Sequence, residues 1–474
     1  MSTPWVVLKY GGTSVAGRPQ WEAIAVQLRS HLSQGHRVLL VCSAVTGITN
    51  ALTDLASDPG SAEKLTAVLA RHRKLASDLD VPDTDWLEAA ELALHECVRA
   101  LAADAGFAGQ AGLLAMGEWL STRIGASFLQ RELAVSWLDV REILQVRDEP
   151  ELSPARQWLS ASCEPGLDED LLQRFEQLSP VVITQGYVAS TGDGRTALLG
   201  RGGSDTSAAL LAGRLGCSQL EIWTDVPGLF STDPRLVPQA RLLAALDYDE
   251  ALEMAASGAK VVHPRCIRAA AATGTPMLIL DTARPHLTGT RIAHSEPGTP
   301  GGRPPGVKAI TCQKDMVVLL LQNIDTRREV GFLARVFDIF RRNGVSIDLV
   351  ATSETTTTVA INGPANHLDE NAMGVLIREL QAQCTVQAHT GCVCINLVGS
   401  SVRTALAKLA SAMNFFQDHP LLMLSQSAND LCLSLLINAE DHETLLRLAH
   451  QALIPADVEP NDGVFGPRWQ DLQG

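Results

Sequence analysis

Six short clusters in this 474-residue chain combine glycine, hydroxyl and charged groups in ways that suit phosphate chemistry. The first is Lys9-Tyr10-Gly11-Gly12-Thr13-Ser14. Paired glycines let a backbone approach a ligand closely, and the N–H groups freed there can cradle phosphate oxygens. Lys9 adds a cation; a tight turn beside a surface lysine would read the same way. In the second, Cys42-Ser43-Ala44-Val45-Thr46-Gly47-Ile48-Thr49-Asn50, Ser43 and Thr49 could hold a carboxylate or phosphoryl oxygen, or cap a helix. The third places Glu118 after Gly117 in an apolar helical stretch, where a carboxylate could take an ammonium group or simply face water. The fourth, Leu199-Gly200-Arg201-Gly202-Gly203-Ser204-Asp205, puts glycines, a guanidinium and an acid at a helix start. Backbone donors and the helix dipole favour an anion there, and Arg201 can grip a carboxylate with two parallel hydrogen bonds.

The fifth cluster runs from Trp223 to Arg235. Thr224 and Asp225 offer polar groups for a base or ribose, Phe230 an aromatic face, and Arg235 a cation. The sixth, Gly258-Ala259-Lys260-Val261-Val262-His263-Pro264, supplies Lys260 for a phosphate, while His263 reads as structural. There is no Gly-Lys pair and hence no Walker loop, no protein-kinase catalytic loop, and no G-x-G-x-x-G after a strand.

These clusters need a scaffold. Trp5–Leu8, Val38–Val41, Val181–Thr184, Leu220–Thr224 and Met277–Leu280 are apolar without alternation, as expected of parallel strands buried on both faces. Leu87–Ala103, Ala111–Glu132 and Thr206–Gly216 read as helices between them, giving α/β layering. The cluster Ser295–Gly306 is rich in proline and glycine and reads as a linker. Beyond it, strands and helices follow in two β-α-β-β-α cycles, which predicts two small ferredoxin-like α+β modules. Gly331–Asn343 is one helix, with Phe332, Leu333, Val336, Phe337 and Phe340 on a single face. Val402–Met413 is another.

The whole carries a formal charge of −15, with 46% hydrophobic and 19% charged residues. Such a surface repels nucleic acid and anionic membrane. Met1–Pro4 runs straight into a strand, with no basic-then-apolar leader and no apolar run of membrane length, so the expectation is a soluble cytoplasmic protein. The ten cysteines show no C-x-x-C spacing and read as buried thiols; Cys392 and Cys394 alone do not make a zinc site, and no metal-ligand set is expected.

Taken in order, the six clusters resemble aspartate kinase, of the amino-acid kinase family, from about Trp5 to His294, with the layout extending to about Leu453. The resemblance implies a three-layer αβα catalytic domain over residues 1–295 with a mostly parallel sheet. A linker would follow at 296–310, then two ACT-like modules at 311–390 and 391–458; residues 459–474 lie outside the resemblance and read as a tail or a linker. It implies transfer of the ATP γ-phosphoryl group, with Mg²⁺, to the β-carboxylate of aspartate, at the head of lysine, threonine and methionine synthesis. Lys9, Asp205 and Lys260 would be catalytic. Lys9, Gly11, Gly12, Thr224, Asp225, Phe230, Arg235, Lys260 and Val261 would surround ATP. Ser43, Thr49, Glu118, Arg201, Gly202, Gly203 and Ser204 would hold aspartate. In the first module Gly331, Phe332, Leu333, Ser346, Asp348, Thr352, Ser353 and Glu354 would hold an effector, with lysine as the hypothesis, and ACT modules imply a homodimer or larger assembly. Departures are Tyr10 for Phe, Phe230 for Tyr, Thr206-Ser207 for Tyr-Thr, and a long Asp325–Val330 loop. Rival readings are a kinase for glutamate, acetylglutamate or a nucleotide, and a catalytically inert amino-acid sensor.

Overall fold

The computed structural model describes residues 4–82, 85–103, 106–259, 261–295, 306–322, 330–366, 368–405, 420–438, 442–454 and 463–473. Its contacts divide the chain into two compact units. One holds the described residues up to Leu229, with Ala244–Leu252 and 261–295; the other holds Phe230–Leu243, Glu253–Ala259 and the described residues from Gly306 on.

The strands up to residue 295 are β1 (Trp5–Tyr10), β2 (Arg37–Cys42), β3 (Val135–Trp137), β4 (Val181–Gln185), β5 (Val188–Ser190), β6 (Thr196–Leu198), β7 (Gln219–Thr224), β8 (Arg241–Leu243), β9 (Ala245–Leu246), β10 (Met277–Asp281) and β11 (Thr290–Ile292). The helices are α1 (Arg18–Ser33), α2 (Ile48–Ser57), α3 (Ala62–Asp78), α4 (Asp85–Ala103), α5 (Phe107–Leu129), α6 (Pro154–Leu159), α7 (Glu169–Glu176), α8 (Gly203–Arg214), α9 (Tyr248–Ala256) and α10 (Pro264–Thr273).

The first unit is built on one sheet of eight strands in the order β3-β4-β2-β1-β7-β10-β11-β9. All neighbours are parallel except β10 and β11. β1 and β4 are buried at every residue, which is why their sequences do not alternate. Helix starts obey local chemistry: Ser61 and Asp168 accept first-turn N–H groups of α3 and α7. Tyr10 and Trp223, paired across β1 and β7, stack with centroids 5.7 Å apart. On α5, Gly125 leaves room for the buried Trp21 ring; a Cβ there would lie 1.9 Å from it.

The second unit contains β12 (Gly306–Gln322), β13 (Leu349–Thr352), β14 (Thr356–Asn362), β15 (Thr385–Ser400), β16 (Leu421–Gln426), β17 (Cys432–Asn438) and β18 (Phe465–Arg468). Its helices are α11 (Phe332–Arg342), α12 (Glu370–Gln381) and α13 (His442–Leu453). Six strands form one antiparallel sheet in the order β13-β14-β12-β15-β17-β16. β12 and β15 pair along their whole length, from Gly306 opposite Ser400 to Gln322 opposite Thr385. The two ferredoxin-like halves therefore share their central strands, and β15 runs through the expected boundary at residue 390. β12 begins inside the expected linker, and residues 296–305 lie outside the described residues. Of the helix expected at Val402–Met413, a 3₁₀ turn, Val402–Thr404, and Ala405 are described, and residues 406–413 lie outside the described residues. Val336 and Phe340 of α11 bury against Leu319, Val359 and Leu380 as the sequence periodicity requires, and Ile339 joins them, whereas Leu333, expected on the same face, is exposed.

Candidate active site

β4, β2, β1 and β7 are consecutive in the sheet and parallel, so their C-terminal ends open on one edge. Ligands of open parallel sheets bind at that edge. Lys9 sits one residue from the end of β1 and is buried. Its Nζ lies 2.6 Å from Asp205 Oδ1, and Asp205 belongs to the first turn of α8. The ion pair thus joins the first and fourth sequence clusters.

The second cluster is locked to the first through backbone. The Ser43 N–H donates to the Tyr10 carbonyl at 3.1 Å and the Thr46 N–H to the Gly12 carbonyl at 3.2 Å. A Cβ on Gly12 would stand 2.6 Å from the Ala44 carbonyl oxygen, so this approach requires glycine. At α8, Gly202 has φ 64°, and a Cβ there would meet the His263 side chain at 2.2 Å. His263 caps α10, its Nδ1 accepting the Arg265 N–H at 3.2 Å. Burial and the nearby Arg265 hold its pKa below the ordinary value, which suits a structural cap.

Glu118 completes the wall. It lies on α5 and is 3% exposed. Its carboxylate accepts the Ala44 N–H, while Oε2 has no hydrogen-bond partner among the described residues. Burial pushes its pKa up to about 8. A buried carboxylate with one unsatisfied oxygen is costly until a cation arrives.

These groups line one cleft of about 430 Å³: Lys9 and Gly12 on one side, Ser43 to Gly47 with Thr49 on another, and Glu118, Gly202, Gly203, Ser204 and Asp205 closing it. It combines cation, hydroxyls, a helix N-terminus and a carboxylate lacking its counter-ion. Those are the requirements for bringing an anion-bearing donor to an amino-acid acceptor.

Other expected residues lie differently. Arg201 is exposed and does not line the cleft, because the turn before α8 directs it outward while its glycine neighbours face in. Thr224 ends β7; its carbonyl accepts the N–H and hydroxyl of Thr282, whose hydroxyl also meets Ser14 at 3.0 Å. Asp225 is exposed and accepts the Thr224 hydroxyl at 3.1 Å. Phe230 is 8% exposed and packs in the second unit with Ala240, Leu242, Trp469 and Leu472. Arg235 is exposed in the same unit and paired with Asp233 at 2.7 Å, which holds that carboxyl below its usual range. Val261 is half-buried just before α10, and Lys260 lies outside the described residues.

Tyr187 is a cleft residue that the sequence reading passed over. It holds φ 68°, uncommon without glycine, and packs against Gly203, where a Cβ would come within 2.5 Å. Burial and the neighbouring Glu118 push its hydroxyl pKa up. The available signal was Gly186 after an apolar strand, the same pattern as Gly11 after β1.

In the second unit Gly331, at φ 90°, precedes α11. Phe332 packs on the module core, and Leu333 is exposed. Ser346 exchanges backbone bonds with the Asn366 amide. Asp348 accepts the Asn362 N–H at 2.7 Å, and burial raises its pKa. Thr352 ends β13, the Ser353 N–H donates to the Thr356 carbonyl at 2.8 Å, and Glu354 is exposed in the turn.

The model of the amino acid kinase family matches residues 4–281. The chain is 32% identical over 463 residues to lysine-sensitive aspartokinase 3 of Escherichia coli, covering 94% of this chain and 99% of that one. It belongs to the aspartokinases of the amino acid kinase family. This aspartokinase is also 26% identical over 472 residues to chloroplastic aspartokinase 2 of Arabidopsis thaliana, covering 95% of this chain and 84% of that one. Its fold matches the crystal structure of Escherichia coli aspartokinase III in complex with aspartate and ADP at TM-score 0.77 and 29% identity, over 95% of this chain and 100% of that one. The same enzyme in complex with lysine and aspartate matches at TM-score 0.78 and 30% identity, over 95% and 99%. The aspartokinase is thus an ATP-dependent kinase, with a mostly parallel catalytic sheet and ACT-type regulatory modules. Among the described residues no helix is long and apolar enough to cross a membrane.

Proposed function

We propose that the cleft binds L-aspartate through Glu118 and transfers the ATP γ-phosphoryl group to its β-carboxylate, giving 4-phospho-L-aspartate and ADP. The observation that carries this reading is the buried Glu118 carboxylate, unsatisfied at Oε2 and facing the same cleft as Lys9. An α-ammonium group supplies the missing donors and charge. A nucleotide or acetylglutamate lacks that cation, which favours a free amino acid.

Ser43 and Thr49 offer hydroxyls to the carboxylates of the substrate, and Arg201 takes the α-carboxylate by swinging inward from its exposed position. Lys9, with the backbone of Gly11 and Gly12, meets the phosphates; Thr224, Asp225, Val261 and Lys260 are assigned to the nucleotide side. ATP enters as its Mg²⁺ complex. The β-carboxylate oxygen attacks the γ-phosphorus as the bond to the β-phosphate oxygen breaks, and the electron pair leaves on ADP. A carboxylate is nucleophilic as it stands, so no base is required; the barrier is charge repulsion, lowered by Lys9 and by the N-terminus of α8. Asp205 keeps Lys9 aimed through their 2.6 Å ion pair.

Aspartate-dependent ADP release tests this, with trapping of the acyl phosphate by hydroxylamine. Equal turnover with glutamate or acetylglutamate would overturn the assignment of the acceptor.

We also infer feedback inhibition by lysine through the module holding Gly331 to Glu354, and pairing of that module between copies. The support is the lysine-sensitive relative and its lysine complex, together with Val330, Leu333 and Val350, apolar and exposed in this module. We infer, too, that the enzyme stands at the entry to lysine, threonine and methionine synthesis, in the cytoplasm. Titration of turnover with lysine and threonine, and light scattering for the assembly state, are the checks.

A further inference from the structure

Residues 463–473 play no part in the reaction above, yet they are built into the second unit. β18 pairs antiparallel with β8, with Phe465 opposite Leu243 and Arg468 opposite Arg241. Arg241 Nη1 donates to the Gly466 carbonyl at 3.1 Å. The Trp469 N–H donates to the Ala240 carbonyl at 2.8 Å, and the Gln470 N–H to the Pro238 carbonyl at 3.3 Å. The Trp469 ring meets Phe230 edge to face, with centroids 5.4 Å apart and planes at 88°. Leu472 packs on the same cluster of Phe230, Ala240 and Leu242.

The segment so covered is held from other directions too. His450 Nε2 lies 2.9 Å from Ser231 Oγ, the Ile310 N–H donates to the Ser231 carbonyl at 2.7 Å, and Arg447 Nε donates to the Leu236 carbonyl at 3.3 Å. Residues 230–243 leave the first unit after Leu229 and rejoin it at Ala244, but fold as part of the second. Five residues of the first unit, Asp225–Leu229, join them to the end of β7 at Thr224. A connection free to wander must be ordered when a ligand binds beside it, and that loss of freedom weakens affinity; ordering it beforehand removes the loss.

We propose that residues 463–473 are a strap that sets the affinity of this kinase for ATP, with Trp469 a positioning residue acting through Phe230 on the connection that leaves β7. This rests on the reading that the exit of β7 is the nucleotide side of the site. Phe230 then serves as the anchor under the strap.

The test uses the full chain carrying Trp469→Ala or Trp469→Phe. Loss of the edge-to-face contact raises the KM for ATP by about three- to tenfold in Trp469→Ala. The KM for aspartate stays within twofold, and Trp469→Phe restores the wild-type value. Hydrogen exchange at residues 231–243 accelerates in Trp469→Ala, and Mg-ATP slows exchange at residues 225–229 in the wild type. An unchanged KM for ATP, a parallel rise in both KM values with a lower Tm, or unaltered exchange at 231–243 overturns the proposal. If the wild type releases no ADP with aspartate, the parent reading fails by itself, while exchange at 231–243 still reports on the strap.

Discussion

Replacing Glu118 by glutamine separates folding from function in a way that can be worked from the structure. Burial lifts the Glu118 pKa from the ordinary 4.5 to about 8 in the empty fold. Between those two values the unfolded chain has released its proton and the folded chain retains it. Stability therefore falls as pH rises through this window, by about 1.4 kcal/mol per pH unit. From pH 4.5 to 7 the loss reaches about 3 kcal/mol at most. Glutamine keeps the shape without the ionisation, so Glu118→Gln should be more stable than wild type at pH 7, with the gap closing towards pH 4.5. It also loses the charge that meets the substrate ammonium; a charged hydrogen bond of about 1.5–3 kcal/mol corresponds to a rise of roughly 10- to 100-fold in the KM for aspartate. In the wild type the proton must leave before the ammonium can be accepted. The KM for aspartate should then fall by about tenfold per pH unit from pH 6 towards 8 and level off above it. Urea unfolding at pH 5 and pH 7, with initial rates against aspartate from pH 6 to 9, makes the comparison. A Glu118→Gln variant less stable than wild type at pH 7, or one with an unchanged KM, would refute the reasoning.

Lys9→Met should lower kcat at least 100-fold, as loss of a transition-state cation does, and should destabilise the fold by about 3 kcal/mol by leaving Asp205 without its partner. Adding Asp205→Asn should recover the stability in urea titrations without recovering turnover. Gly202→Ala imposes a side chain at φ 64°, with its Cβ 2.2 Å from His263, and should cost more than about 2 kcal/mol in the same assay. Asp348→Ala should raise the lysine concentration for half-inhibition at least tenfold; an unmoved inhibition curve would take Asp348 out of the effector site.

The sheet was legible because its central strands are buried on both faces: Val6 to Leu8, Val38 to Val41 and Val181 to Ile183 leave no polar alternation to confuse them with surface strands. Glycines betrayed the close approaches at Gly12 and Gly202, since few other residues would be tolerated there. What could not be read was direction. Arg201 has the chemistry for a carboxylate, but the turn before α8 decides where it points. Nothing in the sequence around Phe230 announces that Trp469 packs against it. Tyr187 adopts a left-handed conformation that its residue type does not advertise. The shared strands of the second unit escaped notice because each cycle of strands and helices looks complete by itself, and pairing between distant strands leaves no local mark.

The full-length pairing of β12 with β15 gives the regulatory unit a common spine. A chimaera joined at residue 390 would cut through the middle of β15 and leave both halves with a torn sheet. Exchange of sensors between such enzymes has to carry both long strands together with the hairpins and helices hung on either side.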